Sequence, residues 1–69
     1  MEYPKITLKA ARINADLSQK EAAEALNVNV STLQNYETGK TIPDWETVKR
    51  IEQVYSFPAD FIIFAKRPA

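Results

Sequence analysis

The 69 residues contain no cysteine and no histidine. Their absence removes disulfide staples, thiolate zinc sites, thiol nucleophiles and any histidine general base. A single glycine, Gly39, excludes a glycine-rich phosphate loop. No stretch approaches the ~20 apolar residues that a membrane helix needs. The opening Met-Glu-Tyr-Pro-Lys lacks the apolar segment of a signal peptide. Charge of either sign is not in excess, because nine Lys and Arg face nine Asp and Glu. No metal-ligand cluster and no catalytic constellation can be assembled from what remains. An enzyme is therefore the least expected class, and no cofactor, metal, membrane or small-molecule ligand is expected. A chain without cysteine suits a reducing cytoplasm.

What is present is helical periodicity. The length fits one domain, residues 1–69, with its core over about 7–64. Gly39 and the prolines at 4, 43, 58 and 68 punctuate the chain. Between them the apolar spacing is helical, and no alternating strand pattern lasts long enough to compete. Helix 1 is expected from Leu8 to about Asn14, with Thr7 as N-cap. Leu8, Ala11, Arg12 and Ala15 share one of its faces. Helix 2 is expected over Gln19–Leu26, opened by a capping box between Ser18 and Glu21. Its apolar face, Ala22, Ala23, Ala25 and Leu26, is mostly alanine and admits another helix closely. Asn27-Val28-Asn29 forms the turn. Asn27 enters the left-handed region at little cost, and Asn29 is the N-cap of the next helix.

Helix 3 is expected over Val30–Thr38 and ends at Gly39. On a helical period Leu33, Tyr36 and Glu37 face inward. Ser31, Gln34, Asn35 and Thr38 face outward. Helix 4 follows Pro43, is capped by Asp44 and runs to about Tyr55. Its apolar stripe is Trp45, Val48, Ile51, Val54 and Tyr55, and both Trp45 and Tyr36 are expected in the core. Helix 5 starts near Pro58. Residues 61–64 of that helix, Phe-Ile-Ile-Phe, are more contiguous apolar surface than one short helix can bury. Part of it is expected to seal the core, and Ile62 or Phe64 is the candidate dimer contact. The expected fold is all-α, a compact five-helix domain.

The outward face of helix 3 is polar and uncharged, with groups that both donate and accept hydrogen bonds. Asn and Gln pair two-pronged with adenine N6 and N7, Ser serves either role, and the Val30 methyls suit a thymine methyl. Two short helices joined by a three-residue turn, the second presenting such a face, fit the helix-turn-helix plan over about residues 18–38. The neutral charge balance counts against a nucleic-acid partner and predicts few phosphate contacts.

Several segments together resemble phage Cro proteins and lambda-type repressors, the XRE-like helix-turn-helix family. They are the Leu17-Ser-Gln opening, Ala23, Tyr36-Glu-Thr-Gly-Lys40 and Pro43. The resemblance covers about residues 8–64. It implies a lambda-repressor-like fold and a sequence-specific transcriptional regulator of phage or bacterial type, acting on nucleoid DNA in the cytoplasm. By the same resemblance, Val30, Ser31, Gln34 and Asn35 occupy the base-reading face. Gln19 contacts a phosphate and braces a base-reading side chain. Lys40, with the connection to helix 4, binds the DNA backbone, and Lys20, Thr38 and Thr41 complete the candidate backbone contacts. Arg12 and Glu37 match a family ion pair between helices 1 and 3. Periodicity agrees, since it turns Glu37 inward, where a lone carboxylate is costly. Where the family usually has glycine, at the ends of helices 1 and 2, this chain has Asp16 and Asn27. The implied partner is double-stranded DNA; the small footprint of one such domain suggests a palindromic operator bound by two copies, either a weak homodimer or monomers that pair on DNA. The other reading keeps the fold and makes it a protein-binding module, an antitoxin or anti-repressor. The neutral charge and the apolar C-terminal segment favour that alternative.

Overall fold

Four helices form at the boundaries that the local signals set. The computed structural model describes residues 4–64 and contains α1 (Leu8–Asn14), α2 (Gln19–Leu26), α3 (Val30–Thr38) and α4 (Trp45–Tyr55). Among the described residues no helix is long and apolar enough to cross a membrane.

Three of the four N-termini are closed by side chains. The Thr7 hydroxyl accepts the Ala10 amide at 3.1 Å. Ser18 accepts the Glu21 amide at 3.1 Å, while the Glu21 carboxylate accepts the Ser18 amide at 2.9 Å. Asp44 accepts the Thr47 amide at 2.9 Å. These bonds satisfy donors that a helix start leaves open. α3 is the exception. Asn29 holds the extended cap conformation expected of it, yet its side chain makes no cap hydrogen bond.

All four C-termini end alike. The residue after each helix or its last turn turns left-handed, at Asp16 (φ 62°), Asn27 (φ 59°), Gly39 (φ 79°) and Ser56 (φ 52°). The next amide then reaches back to a carbonyl of the helix's last turns: Leu17 to Arg12, Val28 to Ala23, Lys40 to Asn35 and Phe57 to Glu52. This is the Schellman arrangement. Only Gly39 enters it without a Cβ to accommodate.

The core lies where the helices converge. Leu8 and Ala11 of α1 are buried there, with Ala22, Ala23 and Leu26 of α2, Leu33 of α3, and Ile51 and Tyr55 of α4. The alanines of α2 let α3 and α4 pack closely on it. Arg50 ties two of these helices together by donating to the Leu26 carbonyl at 3.0 Å, at the open C-terminal end of α2.

Three expectations are corrected. The fifth helix does not form. A single 3₁₀ turn, Ala59–Phe61, follows Pro58 and gives way to a two-residue strand, β2 (Ile62–Ile63). β2 pairs in parallel with β1 (Ile6–Thr7), in the register Ile6 with Ile62 and Thr7 with Ile63. A helix would have scattered four contiguous apolar side chains around its circumference. The extended chain alternates them instead, and the β-branched pair suits a strand. Second, Ile62 lies within the core, so it is not a dimer contact, while Phe64 packs half-buried against that core. Third, Trp45 is not a core residue. It stands 72% exposed on the first turn of α4, with Ile42 beside it at 64%. Tyr36 does pack against the core.

Candidate nucleic-acid interface

The outward face of α3 is set by what its inward face must do. Leu33 is fully buried and fixes the rotation of the helix. Ser31, Gln34 and Thr38 are then exposed, Asn35 is half-buried at the edge, and Val30 is exposed at the N-terminus. α3 carries only one ionisable carboxylate, Glu37, and that one is neutralised from behind.

The neutralising group is Arg12. Its Nε donates to Glu37 Oε2 at 2.6 Å and its Nη2 to Oε1 at 3.5 Å, with both side chains almost wholly buried. Arg12 Nη1 also donates to the Leu17 carbonyl at 2.9 Å. The guanidinium thus joins α1, the start of α2 and α3. From Glu37 a chain of bonds runs to the surface. Gln19 Nε2 donates to Glu37 Oε1 at 3.0 Å, and Gln34 Nε2 donates to Gln19 Oε1 at 3.3 Å. A buried charge pair therefore orients two amides, the outer one on the exposed face of α3. Sequence reasoning placed each of these residues but not their continuity. Four positions scattered between 12 and 37 carry no local pattern that links them.

Tyr55 lies behind the same cluster. Its hydroxyl is buried without a hydrogen-bond partner among the described residues. Burial pushes its pKa up to about 12, with the Glu37 carboxylate adding to the rise and Arg12 opposing it. The helical stripe predicted Tyr55 inside, but nothing in the sequence signalled an unpartnered hydroxyl there.

The connection after α3 is held in place. The Asn35 carbonyl accepts the Lys40 amide at 2.9 Å, the Thr41 amide at 3.3 Å and the Thr38 hydroxyl at 3.3 Å. Lys40 and Thr41 are exposed just beyond the C-terminal end of α3, and Lys20 is exposed on the first turn of α2. Beside α3 an open depression is lined by Glu24, Asn27, Asn29 and Thr32. Glu24 lies one turn along α2 from Lys20, on the same face of that helix.

Two short helices, a left-handed Asn turn and an exposed amide-and-hydroxyl face on the second helix define a helix-turn-helix domain. The chain belongs to the helix-turn-helix family, whose model matches residues 8–62. It is 39% identical over 56 residues to the HTH-type transcriptional regulator ImmR of Bacillus subtilis (strain 168), covering 81% of this chain and 44% of that protein. It is 33% identical over 51 residues to the cryptic phage CTXphi transcriptional repressor RstR of Vibrio cholerae, covering 74% of this chain and 46% of that protein. The matched region thus spans less than half of either relative. No solved structure matches the chain.

Proposed function

We propose that this chain is the DNA-reading part of a transcriptional regulator, a repressor of the phage or prophage type, with α3 in the major groove of its operator. One observation carries the reading: the face of α3 that points to solvent is uncharged, rich in amides and hydroxyls, and braced from the core through Glu37, Gln19 and Gln34. Preorganised amides suit base edges, because Asn and Gln match the adenine donor–acceptor pair. In this reading Val30, Ser31, Gln34 and Asn35 read bases. Gln19, Lys20, Thr38, Lys40 and Thr41 touch the backbone on either side. The relatives' names, a transcriptional regulator and a phage repressor, support it. Such a regulator works on DNA in the cytoplasm.

One module of this size buries only about 600–1,000 Å² on DNA. Useful affinity then requires two copies on half-sites about 34 Å apart, hence a palindromic operator. Selection of bound sequences from a random duplex pool tests the reading. Enrichment of an inverted repeat is the expected result. Asn35→Ala should then lose ~1–3 kcal/mol of discrimination at one base pair, while Lys40→Ala weakens all sequences about equally. A pool that yields no enriched motif rules the reading out and returns the fold to the protein-binding alternative.

A further inference from the structure

We propose that Glu37 is a positioning residue that sets a base preference of α3 through Gln19 and Gln34, so that Gln34 takes adenine over guanine. The inference rests on the proposed DNA-binding function and adds to it a residue and a base. The observation behind it is a chain of hydrogen bonds that has only one permitted direction.

That direction starts in the core. Arg12 donates to both Glu37 oxygens, and a carboxylate paired in this way offers acceptors and no donor. Gln19 must therefore turn its NH2 end to Glu37 Oε1, as it does at 3.0 Å. An amide has one donor end and one acceptor end, so the Gln19 carbonyl is left for the next partner. It accepts from Gln34 Nε2 at 3.3 Å. Gln34 thus uses one N–H on Gln19. Its carbonyl oxygen and its second N–H remain for a ligand.

One acceptor beside one donor is the complement of adenine, which presents its N6 amine and N7 in the major groove. Guanine presents two acceptors there, N7 and O6, and would set one of them against the Gln34 carbonyl. A glutamine free to turn over would satisfy either purine. α3 carries no lysine or arginine to read guanine instead. The outer bond is long and lies at the surface, so the bias it imposes is modest, about tenfold between the two bases.

Selection from a random duplex pool, repeated with Gln34→Ala, locates the base pair that becomes indifferent in that variant. At this pair the unaltered protein should bind adenine about tenfold better than guanine. Gln19→Ala keeps the Arg12–Glu37 pair and frees Gln34 to turn over. Its overall affinity should fall, and its adenine preference at this one pair should vanish while preferences at other pairs persist. Glu37→Gln reverses the chain. Arg12 only donates, so the new carbonyl goes to Arg12 and the new NH2 faces the Gln19 carbonyl. Gln34 then turns both N–H groups outward, and the preference should pass to guanine. If circular dichroism shows Glu37→Gln unfolded, Gln19→Ala decides alone. In DNA-free protein the side-chain NH2 resonances of Gln34 should shift in Gln19→Ala, and unmoved resonances overturn the inference before any DNA is added. A motif in which no pair responds to Gln34→Ala, or one with guanine preferred at the responding pair, also overturns it. So does an adenine preference undiminished in Gln19→Ala or in folded Glu37→Gln. Each of these leaves DNA binding standing. A pool with no enriched motif sinks the proposed function and this inference with it.

Discussion

The helix-turn-helix and the segment beyond α4 keep their shapes by different means. α2, the turn and α3 are framed by nearby groups: a capping box, a left-handed Asn27, a left-handed Gly39 and amides that return to carbonyls a few residues back. The last described residues have one turn of 3₁₀ helix and little else that is local. They are held by pairing with β1 at the other end of the chain and by burying Ile62. A region framed by local bonds has its helix boundaries set within a few residues, although helices as short as α2 and α3 still need the core for their stability. A region built from distant pairing depends on the whole molecule being folded. The arrangement suits the proposed function, because the reading helix sits in the self-framed part.

The largest effect should come where the local frame meets the core. Arg12→Ala leaves Glu37 buried without its partner, and loss of one member of a buried pair costs about 3–5 kcal/mol. Urea denaturation measures the loss. Replacing both residues, as in Arg12→Met with Glu37→Leu, should cost far less than the sum of the single changes. Additive costs would mean that the 2.6 Å contact does not couple the two helices. Ile62→Ala should follow, at about 2–4 kcal/mol for a core side chain truncated to alanine. Hydrogen exchange separates the two variants. Exchange in Ile62→Ala should rise first at Ile6 and Thr7, with the α2–α3 amides still protected. Equal loss of protection everywhere would erase the distinction between the regions.

The same distinction explains what the sequence revealed. Ser18 with Glu21, Asp44 before Trp45, Asn27 and Gly39 are signals that act within a few residues, and each helix boundary followed from them. The inward rotation of α3, and with it the exposed face of Ser31, Gln34 and Thr38, followed from Leu33 on the helical period. The β1–β2 pair was invisible because two residues carry no period and their partner lies at the far end of the chain. Trp45 was misplaced because hydrophobicity on a helical stripe was read as burial. The stripe reaches back to the first turn of α4, where nothing among the described residues covers it. The amide relay from Glu37 to Gln34 was partly visible: the resemblance implied that Gln19 braces a base-reading side chain, but only coordinates show that this side chain is Gln34 and that Glu37 anchors Gln19.

Weaker effects sharpen the local side of the comparison. Ser18→Ala removes the hydroxyl that caps α2 and should cost about 1 kcal/mol. The carboxylates in these caps also give the fold a pH dependence. Hydrogen bonds from the Ser18 amide and hydroxyl hold the Glu21 pKa below its ordinary value, and those of Thr47 do the same for Asp44. A depressed pKa favours folding above the unfolded-state value and loses that advantage as pH falls through the folded one. Stability should therefore hold at neutral pH and decline below about pH 4. Asp44→Asn should flatten that decline in acid denaturation followed by circular dichroism, and an unchanged acid limb would remove the cap from the explanation.

The smallest effect isolates backbone strain at a helix end. The four termini make the same return bond but pass through different residues: Asp16, Asn27, Gly39 and Ser56. Asp and Asn reach left-handed geometry at reduced cost, and glycine meets no steric cost there. Serine has less of that relief, so α4 has the most strained end. Ser56→Gly removes a left-handed penalty of about 1–2 kcal/mol and adds about 0.5–1 kcal/mol of chain entropy in the unfolded state. A net gain of about 0.5–1 kcal/mol is expected, read as a higher urea midpoint at unchanged slope. Ser56→Ala keeps the Cβ and should gain nothing. Asn27→Gly should gain less than Ser56→Gly, because Asn27 begins with less strain. If Ser56→Ala and Ser56→Gly stabilise equally, the hydroxyl and not the backbone sets the cost at this turn. The end of α4 would then not differ in kind from the end of α2.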